Sequence, residues 1–144
     1  MPTPEVIEAH LYSIHVLATK TEALSDANKP KTLKKFDIPD SMELRELKYL
    51  NNTKGLVQYS PGFRTMKGTL ELDVVKDSPI LTTIKTAYAA RKPIWVVCVE
   101  DPDAATGAQG VRYEGVIGSY PLTLEAGTLV SVSIEFGINE FEPI

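Results

Sequence analysis

Side chains able to do chemistry are sparse in this chain, and their spacing argues against their working together. The two histidines, His10 and His15, stand five residues apart. On a strand an odd separation puts them on opposite faces, so they cannot close on one metal ion, and no HxH or HExxH pattern exists. Asp101 and Asp103 flank Pro102 in a loop and raise the question of calcium. That loop lacks the regular series of oxygen ligands and the terminal bidentate Glu of a calcium site, which favours a solvated acidic turn. Cys98, the single cysteine, lies in the most apolar run, Ile94 to Val99, where a thiol serves as a small buried hydrophobe and not as a nucleophile. It excludes an intrachain disulfide and a thiolate zinc cluster. Trp95 in the same run reads as core. The segment from Gly107 to Gly110 is no phosphate cradle, because no helix follows it. The reading is therefore a chain with no catalytic residue, no metal site and no cofactor.

The composition narrows the partners. A net charge of -4 over 144 residues argues against nucleic-acid binding through a basic surface, which needs clustered Lys and Arg. The one basic cluster is Lys29, Lys31, Lys34 and Lys35. It reads either as a solvated loop or as an electrostatic contact with an acidic surface of a neighbouring subunit. With 43% hydrophobic and 24% charged residues the chain is ordinary globular material, of a size for one domain spanning 1–144. The Met-Pro-Thr-Pro-Glu start has neither a basic nor an apolar leader region, so no signal peptide is expected. The longest apolar run, Ile94 to Val99, is too short to span a bilayer.

Two strands have clear parity. From Val130 onward, Val130, Val132, Ile134 and Phe136 fall on one face, and Ser131, Ser133 and Glu135 on the other. From Thr65 to Val75, Met66, Gly68, Leu70, Leu72 and Val74 oppose Lys67, Thr69, Glu71 and Asp73. Gly68 there marks a bulge or a close backbone approach. Asp77 or Ser78 caps a helix that starts at Pro79 and carries Ile80, Ile84, Ala87, Tyr88 and Arg91 along one side, with Pro93 stopping it. Ile94 to Val99 follows as a buried central strand, and Glu100 to Gly110 as a surface loop. Val6 to Thr19 reads as a strand on its β-branched and aromatic content, although neither face is polar. Residues 1–5 form an N-terminal arm and residues 19–39 an excursion loop. Met42 to Tyr49 reads as a strand or a helical turn. Residues 50–64 form a long loop with Asn51-Asn52, Gly55 and Pro61-Gly62 as turn residues around an apolar patch, Leu56 to Tyr59. The sum is a mainly β, α+β domain: a β-sandwich or partly open barrel with one packed helix.

The order of parts, with Ser60-Pro61-Gly62 before an acidic alternating strand, a capped helix, an apolar strand, Tyr113-Glu-Gly-Val-Ile-Gly-Ser-Tyr and a last strand running into Phe136-Gly137, resembles the tail tube (major tail) proteins of long-tailed bacteriophages. The resemblance covers about Met42 to Gly137 and rests on order and size, since that family has no invariant catalytic signature. It implies a structural virion protein, made in the host cytoplasm and residing in the tail. Hexameric rings would stack into a hollow tube through which DNA is delivered without specific binding. Partners would be other copies of itself, tape measure, tail terminator, tail tip or baseplate and, in a contractile tail, a sheath. It further implies that the long loop packs on the neighbouring ring, with Leu56, Val57, Tyr59 and Pro61 as inter-ring candidates. Thr69, Glu71, Asp73, Ser131, Ser133 and Glu135 become lumen-facing candidates, where acidic and hydroxyl groups would let DNA slide. Lys29, Lys31, Lys34 and Lys35 become inter-subunit charge candidates. Two alternatives stand beside this. One is the tube of a contractile injection or type VI secretion-like apparatus. The other is a monomeric small-molecule-binding β-barrel with Trp95, Tyr113 and Tyr120 around a pocket.

Overall fold

A computed structural model of the chain describes residues 12–47, 58–75, 78–123 and 130–144. Eight strands and one helix are present among them. In chain order they are β1 (Ser13–Leu17), β2 (Leu33–Asp37), β3 (Asp40–Leu47), β4 (Gln58–Asp73), α1 (Pro79–Ala90), β5 (Ile94–Val99), β6 (Gly110–Ser119), β7 (Leu122–Thr123) and β8 (Ser131–Pro143). One antiparallel sheet runs β1-β5-β6-β8-β4-β2 and curls into an open half-barrel. Here β3 pairs with the N-terminal part of β4, and β7 with the start of β8.

The inner face of the curl holds the core. Val16, Leu70, Leu72, Ile94, Val96, Ile117, Val132, Ile134 and Phe136 meet there, and Ile80, Leu81 and Ile84 of α1 close it. Parity explains both well-patterned strands: Leu70 opposes Ile134 and Leu72 opposes Val132, all inward. Gly68 opposes Phe136, and a Cβ at Gly68 would lie 2.3 Å from the ring, so this position admits only a glycine beside that phenyl. The close-approach reading of Gly68 holds. Val130 precedes β8, and its carbonyl accepts the Val74 N–H at 2.8 Å.

β1 has two apolar faces for a structural reason. Ile14 and Val16 join the inner core, while Leu17 packs on the outer side with Val97, Val99, Trp95 and Ile144. On α1, Ser78 takes the N-cap position without a side-chain cap bond, and Pro79 occupies the first turn. The helical stripe differs from expectation. Leu81 is buried, Tyr88 is exposed, and Arg91 ends the helix in the left-handed region (φ 57°) with its N–H on the Ala87 and Tyr88 carbonyls. A stripe drawn at i, i+4, i+7 and i+8 omits the flank that Leu81 fills where the curl wraps the helix.

Two loop expectations need correction. The 19–39 excursion contains a 3₁₀ turn (Asp26–Asn28) and β2. Leu33 and Phe36 pack on the core while Lys34, Lys35 and Asp37 stay outside, and a register irregularity lies between Leu33 and Lys35. The inward residues are thus three apart, which a period of two overlooks. Likewise, residues 58–64 are strand, not loop. Leu44 opposes Pro61, and a register shift between Met42 and Leu44 absorbs Pro61-Gly62. Met42 to Leu47 is strand and not a helical turn. The 1–5 arm, His10, Leu56, Val57 and Asp77 lie outside the described residues.

Candidate assembly surfaces

The register of β4 against β8 brings all six polar candidates onto one outer face. Thr69 opposes Glu135, Glu71 opposes Ser133 and Asp73 opposes Ser131. β2 extends two of these rungs, with Asp37 opposite Thr69 and Lys35 opposite Glu71, and Ser119 of β6 opposes Glu135. The result is a four-strand-wide surface of hydroxyls, carboxylates and lysines directly behind the driest part of the core. Chemically it offers hydrogen-bonding and ionic groups with no nucleophile–base pair.

Two of the four lysines are engaged within the chain. Lys34 Nζ lies 2.8 Å from Asp73 Oδ1, and Lys35 Nζ lies 3.6 Å from Asp37 Oδ2. Hydrogen bonding and charge attraction from Asp73 push the Lys34 ammonium up from its ordinary value. Thr32 Oγ1 donates to the Asp73 carbonyl at 2.7 Å, so Asp73 anchors the excursion by main chain and side chain. The Lys34 bond ties β2 to β4, whereas the Lys35–Asp37 contact lies within β2. Lys29 is half-buried and Lys31 exposed.

The second surface is a projecting arm. β3 and the Gln58–Met66 part of β4 form a two-stranded ribbon, and the packing partner of β3 is β4. Its large apolar side chains face solvent: Phe63 is 75% exposed, Leu44 63%, Tyr59 58% and Met42 51%. Arg45 stacks over Phe63 at 5.8 Å from the ring centre. At the arm's root Arg64 Nε donates to Asp40 Oδ1 at 2.9 Å, and its guanidinium lies 5.1 Å above the Phe141 ring of β8. The Arg64 bond holds the Asp40 carboxyl below the usual range. The expectation named Tyr59 and Pro61 and missed Met42, Leu44 and Phe63. Their signal was present as the Met42/Leu44 alternation, masked by surrounding charge.

Other expected residues play structural parts. His15 is buried and its Nδ1–H donates to Asn28 Oδ1 at 2.7 Å. Asn28 Oδ1 also accepts the Ser25 N–H, and its Nδ2 donates to the Ala23 carbonyl, so this pair ties the excursion to β1. The Asp103 N–H donates to Asp101 Oδ1 at 3.0 Å, the bond of an acidic turn. Gly107 has φ 97°, which explains a glycine in that loop. Cys98 is half-buried, not fully buried, because it lines an open cleft. Burial, then Glu100, pushes its thiol up. Trp95, Tyr113 and Tyr120 do not converge. Tyr113 opposes Val96 and so lies on the face opposite Trp95, while Tyr120 stacks on Tyr88 of α1 at 6.4 Å. The small-molecule barrel loses its pocket on that ground. Among the described residues no group of three or more His, Cys, Asp or Glu is placed to hold a metal, and no helix is long and apolar enough to cross a membrane.

No protein-family model and no curated protein matches the sequence. Solved structures do match, across nearly the whole chain. The SPP1 tail tube superposes with a TM-score of 0.74 at 15% identity, covering 95% of this chain and 78% of the other. The chain has the tail-tube fold. A chain from the tail of an empty gene transfer agent particle, refined with C6 symmetry, gives 0.72 at 10% identity and covers 96% and 99%. The tail-tube fold also matches a chain of the sheath–tube complex of an extracellular contractile injection system, PVC, at 0.61 and 12% identity over 96% and 93%.

Proposed function

We propose that this chain is a non-enzymatic structural subunit that stacks as hexameric rings into the hollow tail tube of a long-tailed phage particle. The observation that carries the reading is the tail-tube fold over nearly the full length, at 15% identity to a phage tail tube. The two surfaces fit it. An arm with exposed Leu44, Tyr59 and Phe63 needs a partner to cover it, and another copy supplies one. The outer face of Thr69, Glu71, Asp73, Ser131, Ser133 and Glu135 lines the lumen, where carboxylates and hydroxyls predominate and Lys34 and Lys35 are already paired with Asp73 and Asp37, which leaves a phosphate backbone little to hold. Lys29 and Lys31 reach an acidic neighbour within the ring. Tape measure, tail terminator, and tip or baseplate proteins are the further partners, and the assembled protein resides in the virion tail.

Purified protein should form tubes with sixfold symmetry by electron microscopy. Deleting residues 51–60 should leave folded subunits or single rings and no tubes. Tubes from the deletion variant would sink the role of the arm, and a wild-type protein that stays monomeric would sink the tube itself. The match to a contractile injection system tube keeps a second reading, a tube inside a sheath. A sheath band in purified particles would establish it.

A further inference from the structure

β2 and β3 are two stretches of one strand. From Lys35 opposite Glu71 to Met42 opposite Arg64 their pairing with β4 keeps a single register, with no residue gained or lost across Ile38 and Pro39. The Pro39 carbonyl accepts the Lys67 N–H at 3.3 Å and carries the ladder over that gap. The arm is thus continuous with the excursion that precedes it. Leu33 and Phe36 pack the excursion on the core, but a cavity of about 300 Å³ lies between its Ala27, Pro30 and Thr32 and the Val75 and Ile80 of the body. Polar bonds hold it at two points. Asn28 Oδ1 accepts from His15 Nδ1–H at 2.7 Å and from the Ser25 N–H at 3.2 Å, and Asn28 Nδ2 donates to the Ala23 carbonyl at 2.8 Å. Further on, the Asp73 N–H donates to the Thr32 carbonyl at 3.2 Å, and Lys34, where the register slips, bonds Asp73.

We infer that His15 and Asn28 are positioning residues for the arm: a buried latch that fixes, through the continuous β2–β3 strand, where the arm stands. Both side chains are 7% exposed, and they are the buried polar side chains of the described body. Burying an imidazole and a carboxamide costs desolvation, which their bonds offset only while the excursion holds one geometry. The latch therefore selects a single position for the chain that leaves Asn28. From there the position is handed on by Thr32 and Asp73 to β2, by Pro39 and Lys67 across the gap, and so to β3. β5 has its own ladders to β1 and β6, which need neither the excursion nor the arm. Releasing the latch should loosen β2 and β3 as one unit and leave β5 closed. The consequence for assembly rests on the tube reading; the coupling itself is a property of the isolated subunit.

Amide hydrogen exchange on isolated subunits provides the test. Asn28→Ala leaves the His15 N–H without its acceptor and frees the Ser25 turn. Exchange in β2 and β3 should rise together by about tenfold, the order expected when a buried polar group loses its partner. β5 and β6 should keep wild-type protection. His15→Phe removes the same bond and keeps a ring in place, so it should act alike, and the double variant should add little to either single one. Two glycines inserted between Ile38 and Pro39 cut the connection: in that background Asn28→Ala should still quicken β2 and no longer change β3. In assembly both latch variants should need a higher subunit concentration to form tubes by electron microscopy, although neither side chain belongs to the arm. Faster exchange confined to β2, or no change in either strand, would overturn the inference, since the latch would not reach the arm. Loss of protection in β5 along with β2 and β3 would make the pair an ordinary part of the core and sink it too. Coupled exchange with tubes forming at the wild-type concentration would remove the role in assembly. Wild-type protein that forms no tube would defeat the tube reading and leave the coupling of latch and arm to stand or fall on exchange alone.

Discussion

In β4 the residues from Lys67 to Asp73 lie between β2 and β8, whereas those from Gln58 to Met66 have β3 as their partner. The first part buries Gly68, Leu70 and Leu72 and turns Thr69 and Glu71 outward. The second part leaves Tyr59 and Phe63 in solvent. One continuous strand therefore belongs to two environments, and the residue types follow the environment. Where the subunit supplies its own core, apolar and polar residues alternate at period two. In the arm, large apolar side chains stay exposed, which a monomer has no reason to keep. The body is stabilised from within; the arm leaves its large apolar side chains uncovered.

The sharpest way to separate the two regions is to truncate one phenylalanine in each. Phe136 is buried against Gly68 and Gly115. Phe136→Ala should destabilise the subunit by about 3–5 kcal/mol in urea denaturation, through lost burial and the cavity left behind. Phe63→Ala should shift stability by no more than about 0.5 kcal/mol and yet weaken tube formation, as a surface substitution does when its side chain serves a partner. If Phe63→Ala unfolded the subunit as Phe136→Ala does, the arm would be part of the body and the contrast would collapse.

Next in size is the fit between β4 and β8. Gly68→Ala places a methyl within the Phe136 ring and should cost about 1–3 kcal/mol by overpacking. Phe136→Leu in the same chain should return part of that loss. A double-mutant cycle measures the coupling, because contacting residues do not add. Strict additivity would mean the two residues do not meet.

Much of the body was readable because its signals are local. Val132, Ile134 and Phe136, with Leu70 and Leu72, alternate along their own strands, and Ser78-Pro79 marks a helix start without reference to anything distant. What escaped reading depends on pairing between remote segments. Parity places Glu71 and Ser133 each on a polar face, but only the β4–β8 register sets them opposite one another. β2 was hidden because a register irregularity spaces Leu33 and Phe36 three apart, and its ladder to β4 and the Lys34–Asp73 pair join segments far apart in sequence. Pro61-Gly62 has the composition of a turn, and tertiary pairing with β3 overrode it. The arm's apolar residues were obscured by the charges between them, and their exposure breaks the rule that apolar means buried.

The outer face of the body gives a smaller effect on folding and a specific one on transport. Ser131→Lys with Ser133→Lys should leave stability within about 0.5 kcal/mol, because both side chains lie on the polar side of β8. Tubes should assemble as before, and infectivity or DNA release from particles carrying them should fall, since added lysines hold phosphate. Unchanged DNA release would place this face away from the lumen and leave the division between body and arm intact.

The smallest expected effect lies at the boundary between body and arm, where Arg64 bonds Asp40 and covers the Phe141 ring. Hydrogen bonding to Arg64 is the main cause that lowers the Asp40 carboxyl, with charge attraction adding to it and desolvation opposing. A carboxyl lowered in the folded state contributes its stabilisation above its ordinary range and loses it as pH falls through the depressed value. At neutral pH the arm should therefore be held at its root. Acidification through and below the ordinary aspartate range should loosen it while the body stays folded. Amide hydrogen exchange resolved by residue reads this directly: the step should appear in β3 and be absent from β5, whose Val96 and Val97 are wholly buried. Asp40→Asn should remove the acid step and leave arm exchange slightly faster at all pH values. The pair is exposed and screened, so the change should be small. If β3 and β5 lost protection together on acidification, arm and body would be opening as one unit, and Arg64 would not mark the boundary between them.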